Sequence, residues 1–249
     1  FDPNAVPGSV STAFLPPTIS GSVNALARTA DGKLYVGTSS TLVRLNADGS
    51  ADSSFVSAVT GQVRAIAAMT DGRVVVAGQF SITGVGTRGV ARLNSDGSLD
   101  ATFTPAQVQY LVFAPDFYSD SSAIYALAVD GSNRVYVGGD FDRVAGTNRQ
   151  NLARLTATGA LDTGFAPADN ATGPDQPVRA LLVQGSNLIV AGDFTLYRNA
   201  AHNRLVRVNA SNAIDGTFAG GTRANGAVLA LTAQADGKLL VGGTFTTYN

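Results

Sequence analysis

The apolar positions of this chain alternate in short runs broken by turn-forming residues, and they do not fall on a helical period. One arrangement recurs along the sequence. An apolar segment V-x-A-L/I (segment A) precedes a tight turn and a β-branched run ending in Gly (segment B), often continued as G-x-F. A variable loop follows, then A/V-R-L/V (segment C), a second tight turn, and a segment D that closes in D-x-x-F. Segment A appears at Val23–Leu26, Val63–Ile66, Ile124–Leu127, Val178–Leu181 and Val228–Leu231. The closing aromatic appears at Phe55, Phe103, Phe165 and Phe218, with spacings of 48, 62 and 53 residues. A repeat of this length carrying four short strands predicts an all-β chain built as a β-propeller, one four-stranded blade per repeat.

The C–D turn fixes a register. Asn46-Ala-Asp-Gly49 and Asn94-Ser-Asp-Gly97 suit a three-residue hairpin loop with Gly in the left-handed region, and Asn212 stands in for that Gly in the fourth copy. With Asn94 opposite Ser98, Leu93 faces Leu99 and Arg92 faces Asp100. The same register pairs Arg44 with Asp52, Arg154 with Asp162 and Arg207 with Asp215. A two-residue turn would put Arg and Asp on opposite faces instead. These pairs read as structural, and the closing Phe as packing between one blade and the next.

Composition sharpens this picture. The 249 residues contain 18 acidic and 17 basic side chains, all the acids being Asp and all but Lys33 and Lys238 of the bases Arg. Without Glu and with so little Lys, the chain lacks favoured helix formers. A net charge of -1 excludes the basic footprint of a nucleic-acid binder. No apolar run nears the roughly 20 residues that span a bilayer. No cysteine is present, so disulfides and thiol chemistry are excluded.

Two motifs, A-D-G-K-L-L-V-G-G-T-F (Ala235 to Phe245) and A-R-L-N-S-D-G-S-L-D-A-T-F (Ala91 to Phe103), recur in order from about Val23 to Phe245. In these the chain resembles the delta-60 repeat family, bacterial β-propellers without an assigned function. The resemblance implies the fold and an extracellular or cell-surface bacterial setting, and it supplies no catalytic residues. The first copy departs from the pattern, with Thr38-Ser-Ser40 in place of G-x-F.

The repeats divide the chain into units of about 17–55, 56–103, 104–165, 166–218 and 219–249, a single propeller domain. The last unit has only segments A and B. Gly8–Pro16 aligns with Gly97–Pro105, so residues 8–16 are expected to supply the outer strand of that unit and pair the two ends into five blades; segment C of that unit is not found. Phe1-Asp-Pro3 resembles the tail of yet another unit, so the sequence reads as a fragment of a longer chain. Oligomeric state is not legible.

Chain direction places the A–B and C–D turns on one rim and the long B–C loops and D-to-A linkers on the other, where binding is expected. The candidate ligand-binding residues are Tyr110, Phe117 and Tyr118 in the linker after Phe103, Arg88 in the second unit, Arg149 in the third, and Tyr197, His202 and Arg204 in the fourth. The plainer reading of these residues is that the linker 103–123 folds back on itself as a private small core and the Arg are solvated. The leading reading is a non-catalytic interaction or structural module that meets a protein or glycan partner. The alternatives are a glycan-binding propeller and a hydrolase or lyase using Asp140, Asp142 and Asp193 as channel carboxylates. His202 is the single histidine and has no metal-binding companion. Asn94-x-Asp96-Gly-Ser98-x-Asp100 lacks the spacing of a calcium loop. No catalytic residue, metal or cofactor is implied.

Overall fold

A computed structural model describes residues 14–111, 118–119, 123–165, 173–218 and 224–248, with the backbone alone at 87–88, 109–111 and 118–119. Among them there is no helix; the chain is all-β, as the alternation requires. The first unit holds β1 (Val23–Arg28), β2 (Leu34–Thr38) and β3 (Leu42–Leu45), and the second β4 (Val59–Ala68), β5 (Val74–Ile82) and β6 (Gly86–Leu93). The linker that follows carries β7 (Val108–Leu111) and β8 (Tyr118–Ser119). The third unit has β9 (Ala123–Val129), β10 (Val135–Asp140), a loop hairpin of β11 (Arg143–Val144) and β12 (Thr147–Asn148), and β13 (Leu152–Leu155). The fourth has β14 (Val178–Gln184), β15 (Asn187–Gly192), a loop hairpin of β16 (Leu196–Tyr197) and β17 (Ala200–Ala201), and β18 (Leu205–Val208). The last described pair is β19 (Val228–Ala233) and β20 (Leu239–Gly243). Five antiparallel sheets thus succeed one another: β1-β2-β3, β4-β5-β6, β9-β10-β13, β14-β15-β18 and β19-β20. Their first strands stand side by side, β1 on β4, β4 on β9, β9 on β14 and β14 on β19.

The turn chemistry is as the sequence requires. Asn94 N–H donates to Ser98 O at 2.8 Å, Leu93 bridges Leu99, and Asp100 N–H donates to Arg92 O at 2.9 Å. Gly97 takes a φ of 91° and Asn212 one of 64°. The fourth strand is a correction: segment D makes one bridge in each of four units (Leu45 to Ala51, Leu93 to Leu99, Leu155 to Leu161, Val208 to Ile214) and no strand. D-x-x-F itself ends the pairing, because it is a turn. The Asp100 carboxylate accepts the Thr102 amide (2.9 Å) and hydroxyl (2.6 Å), and Phe103 N–H returns to Asp100 O (3.2 Å).

The core is divided among four joints between successive units. Phe55 packs with Tyr35, Val63, Val76 and Leu93, Phe103 with Val90, Ile124 and Val137, and Phe165 with Tyr136, Val178 and Val206. A fourth joint gathers Ile189, Leu205 and Val228 around the partly buried Phe218. Each Arg of segment C lies over its closing Phe, 4.7–4.8 Å from ring centre to guanidinium carbon in all four units. Each also pairs with its Asp: Arg44–Asp52, Arg92–Asp100 and Arg154–Asp162 at 2.7 Å, Arg207–Asp215 at 2.8 Å. Three of the four then cross the joint. Arg44 Nη1 donates to Ser95 O, Arg92 Nη1 to Ala157 O and Arg154 Nη1 to Ala210 O, each at 2.7 Å in the C–D turn of the next unit. Hydrogen bonds from Lys33, then Ser54, and from Arg44 hold the Asp52 carboxyl well below the usual carboxylate range. Burial pushes Asp100 up, but Thr102, Arg92 and Arg73 outweigh it and hold that carboxyl low as well.

The two rims are less separate than chain direction alone suggests. In the second and third units the linker into the unit lies between that unit's B–C hairpin and its C–D turn. Ala58 N–H donates to Gly97 O while Ala58 O accepts Thr83 N–H, and Ala106 N–H donates to Gly159 O beside Ala145 N–H on Gln107 O. The linker after Phe103 does not fold on itself alone, since β7 pairs with β8 and also with β11. The expectation that residues 8–16 complete the last unit falls mostly on residues 8–13, outside the described residues. Leu15 N–H does donate to Asp48 O (3.1 Å), the bond Val56 makes to Asp96 O (2.8 Å), so Phe14 stands where a closing Phe of a preceding unit would stand.

Candidate functional site

The first strand of every unit carries the same irregularity. Val23 pairs with Thr38 but Ala25 with Gly37; Val63 with Gly78 but Ala65 with Ala77. Ile124 and Ala126, Val178 and Ala180, and Val228 and Ala230 repeat the shift. One residue is passed over each time, which is a β-bulge, and such bulges re-aim a side chain. The bulge lets two large residues three apart serve one face: Val63 Cγ1 and Ile66 Cδ1 would lie 2.7 and 3.1 Å from a Cβ on Gly37, and Val178 and Leu181 meet Gly138 likewise. In a regular strand, positions i and i+3 face opposite ways. V-x-A-L with both V and L in one joint therefore encodes the bulge, a signal that simple alternation passes over.

The passed-over residues are Asn24, Arg64, Tyr125, Arg179 and Leu229, and they run along the adjacent first strands. Beside them, directly after Thr38, Gly78, Gly139, Gly192 and Gly243, come Ser39, Gln79, Asp140, Asp193 and Thr244. The frame stays constant while this row changes in every unit. Around Arg179 the row becomes a polar cluster. Arg179 Nε and Nη2 donate to Asp193 Oδ2 at 2.9 and 2.6 Å, and its guanidinium lies over the Tyr125 ring at 4.3 Å. Burial acts against the charge of Arg179, and the Asp193 carboxylate beside it more than restores it, raising its pKa. Arg204 Nη1 donates to the main-chain oxygen of Asp193. The side chains of Arg179 and Asp193 remain about 31% and 26% exposed, so the cluster is reachable.

The residues singled out from sequence fare unevenly. Arg204 belongs to the cluster, and His202 sits near it, half-buried, its N–H on Thr195 O at 3.0 Å. Arg149 stays local, with Nη1 on Asn148 O at 2.7 Å, and burial lowers its pKa. Tyr197 is a correction. It is fully buried against Phe194, its hydroxyl donates to Asn212 Oδ1, and burial raises its pKa, so it is a core residue of the fourth unit. Its loop hairpin turns back towards the C–D turn, where Arg198 Nη1 reaches Asn212 O at 3.3 Å. Tyr110 pairs with Ser119 and Tyr118 with Leu111 through the backbone, Arg88 pairs with Phe80, and Phe117 lies outside the described residues. Of the three carboxylates weighed for catalysis, Asp193 is occupied by Arg179, Asp140 ends β10 opposite Ala123, and the Asp142 main-chain oxygen accepts Arg149 N–H. Among the described residues no three His, Cys, Asp or Glu side chains gather as a metal site. Among the described residues no helix is long and apolar enough to cross a membrane.

Comparison with known proteins places this geometry in a lineage. The extracellular domain described as that of a one component system, BT4673, from B. thetaiotaomicron is 13% identical with a TM-score of 0.51, over 93% of this chain and 31% of that one. The computationally designed Ika4 protein is 14% identical with a TM-score of 0.48, over 81% of this chain and 99% of its own. Virginiamycin B lyase from Staphylococcus aureus is 14% identical with a TM-score of 0.45, over 89% of this chain and 69% of that one. At these identities the first likeness bears on fold alone, and the other two carry no argument. No curated protein matches. A family profile described as "Domain of unknown function (DUF5122) beta-propeller" matches residues 29–55, 70–103, 131–165, 187–218 and 234–249, more than half of the chain and one stretch per unit. With the five successive sheets, the repeated turn and a profile that falls on each unit in step, the chain belongs to the DUF5122 β-propeller family.

Proposed function

We propose that this chain is a non-catalytic interaction module of an extracellular or cell-surface bacterial protein, and that it meets its partner through the bulge row and the loops beside it. The resemblance of its two motifs to the delta-60 type of repeat supports this reading. One observation carries this reading: the repeat keeps the bulge in all five units while the residue displayed there varies, from Asn24 through Arg64, Tyr125 and Arg179 to Leu229. A fixed scaffold with a varied row is how repeat proteins build a partner-specific surface. Arg and Tyr are the residue types that concentrate binding energy at such surfaces. The Asp193 carboxylate is engaged by Arg179 at 2.6 Å, an arrangement that suits a display surface and so supports a role without chemistry. A protein partner is favoured over a glycan because the one aromatic of the row, Tyr125, has its face covered by Arg179.

A photo-crosslinking amino acid placed at position 64 or 229, and separately at Asp96 in the C–D turn, tests the reading on bacterial surface extracts. A discrete partner band from 64 and 229 that is absent from 96, and that is weakened by Arg179→Ala, is expected. Equal labelling from all three positions would contradict the proposal. A glycan-array signal lost in Tyr125→Ala would replace it with the glycan-binding alternative.

A further inference from the structure

Three successive units carry charge in the row, and each carries it differently. The fourth unit has both members of an ion pair: Arg179 on the bulge and Asp193 after Gly192, joined at 2.9 and 2.6 Å. The third has Asp140 in the place of the acid and Tyr125 in the place of the base. The second has Arg64 in the place of the base and the neutral Gln79 in the place of the acid. The backbone beneath Arg64 and Arg179 is the same. Each is passed over where the register shifts, between Val63 and Ala65 and between Val178 and Ala180. A Cβ built on Gly78 would lie 3.1 Å from Arg64 N, and one built on Gly192 would lie 3.0 Å from Arg179 N. Arg64 and Gln79 therefore start from the places that Arg179 and Asp193 start from. Their partners differ. Arg64 is partly buried, yet among the described residues its guanidinium makes no hydrogen bond and no ion pair, and the exposed Gln79 side chain makes no hydrogen bond either.

A guanidinium is a planar fork of donors that matches a carboxylate, and it is unfavourable for such donors to lose water without gaining an acceptor. The fourth unit supplies that acceptor from its own chain, whereas the second unit sets a neutral amide in the same place. On the reading of the row as the partner surface, on which this rests, we infer that Arg64 and Gln79 form a recognition site for a carboxylate. The protein partner fills it with an acidic side chain, which stands against Arg64 as Asp193 stands against Arg179. The Gln79 amide can donate a further hydrogen bond to that group. Asp140, one unit further along, repels the same charge, so an acid is accepted over the second unit and rejected over the third.

NMR spectra of the Nε–Hε groups, recorded on the chain with isotope-labelled arginine, test the site by titration, with Arg64→Lys assigning the Arg64 resonance. The probe is the peptide acetyl-Gly-Asp-Gly-amide, its Asn counterpart is the neutral control, and glucuronate presents the carboxylate of a glycan. The expected result is a saturable shift of Arg64 with the Asp peptide, none with the Asn peptide, a weaker one with glucuronate, and an Arg179 resonance that stays in place. Gln79→Asp builds the arrangement of the fourth unit into the second. It is expected to abolish the response of Arg64 to the Asp peptide and to weaken the partner band crosslinked from position 229, with a thermal melt showing that the fold is kept. An Arg64 resonance that the Asp peptide leaves unmoved, or that responds equally after Gln79→Asp, would overturn the inference. If the band from position 229 were still present in that case, the interaction module would stand without this site. A stronger response to glucuronate than to the peptide would overturn the assignment of the carboxylate to a protein.

Discussion

Arg92 does three tasks with one side chain. Its Nε is paired with Asp100, its guanidinium covers Phe103, and its Nη1 reaches the Ala157 carbonyl of the next unit. With the side chain of Arg92 only 3% exposed, removing it leaves the buried Asp100 with Arg73 in place of two cations, uncovers Phe103 and leaves the Ala157 carbonyl without its donor. Arg92→Ala is therefore expected to cost about 3–5 kcal/mol. Arg207 has the same local partners, but its side chain is 22% exposed and no cross-joint carbonyl is present for it among the described residues. Arg207→Ala is expected to cost about 1 kcal/mol or less. Urea denaturation of both variants checks the contrast, and equal losses would show that the cross-joint bond contributes nothing. The Arg–Asp pairing was legible in the sequence because the Asn-x-Asp-Gly turn fixes register by local chemistry. That Arg also reaches into the next unit was not, since no local pattern specifies what lies across a joint.

At the scale of the element, the bulge is the feature that joins fold to display. It draws the residue before each segment A over the end of the second strand, so close that a Cβ at Gly139 would sit 2.1 Å from Ala123 O. Gly78, Gly192 and Gly243 face main-chain oxygens in the same way, and Thr38 stands there in the first unit. The neighbouring Gly138 meets only the side chains of Val178 and Leu181, and two other units carry Ala at its position (Ala77 and Ala191). Gly139→Ala is thus expected to destabilise by about 1–3 kcal/mol and Gly138→Ala by less, as thermal unfolding of the pair would show. The strands were legible from alternation, but the outer fourth strand was not correctly so. D-x-x-F resembles a strand end in its apolar pattern, while its Asp side chain turns the chain. Tyr197 misleads in the same manner: an aromatic in a variable loop reads as a ligand contact until the hairpin is seen to fold back over its own unit.

The whole molecule is a succession of one joint, and its stability should vary along the chain as that joint is filled or unfilled. Units in the middle have neighbours on both sides, whereas the outward face of β1 and the outward faces of β19 and β20 have none among the described residues. The repeat announced this architecture, because four segments recur at a near-regular spacing. What packs across each joint was hidden, because contact between residues of different units is a property of assembled faces. Amide hydrogen exchange read by mass spectrometry tests most directly that stability follows the filling of the joints. β1, β19 and β20 are expected to exchange well before β5, β10 and β15. Even protection from β1 to β20 would contradict it.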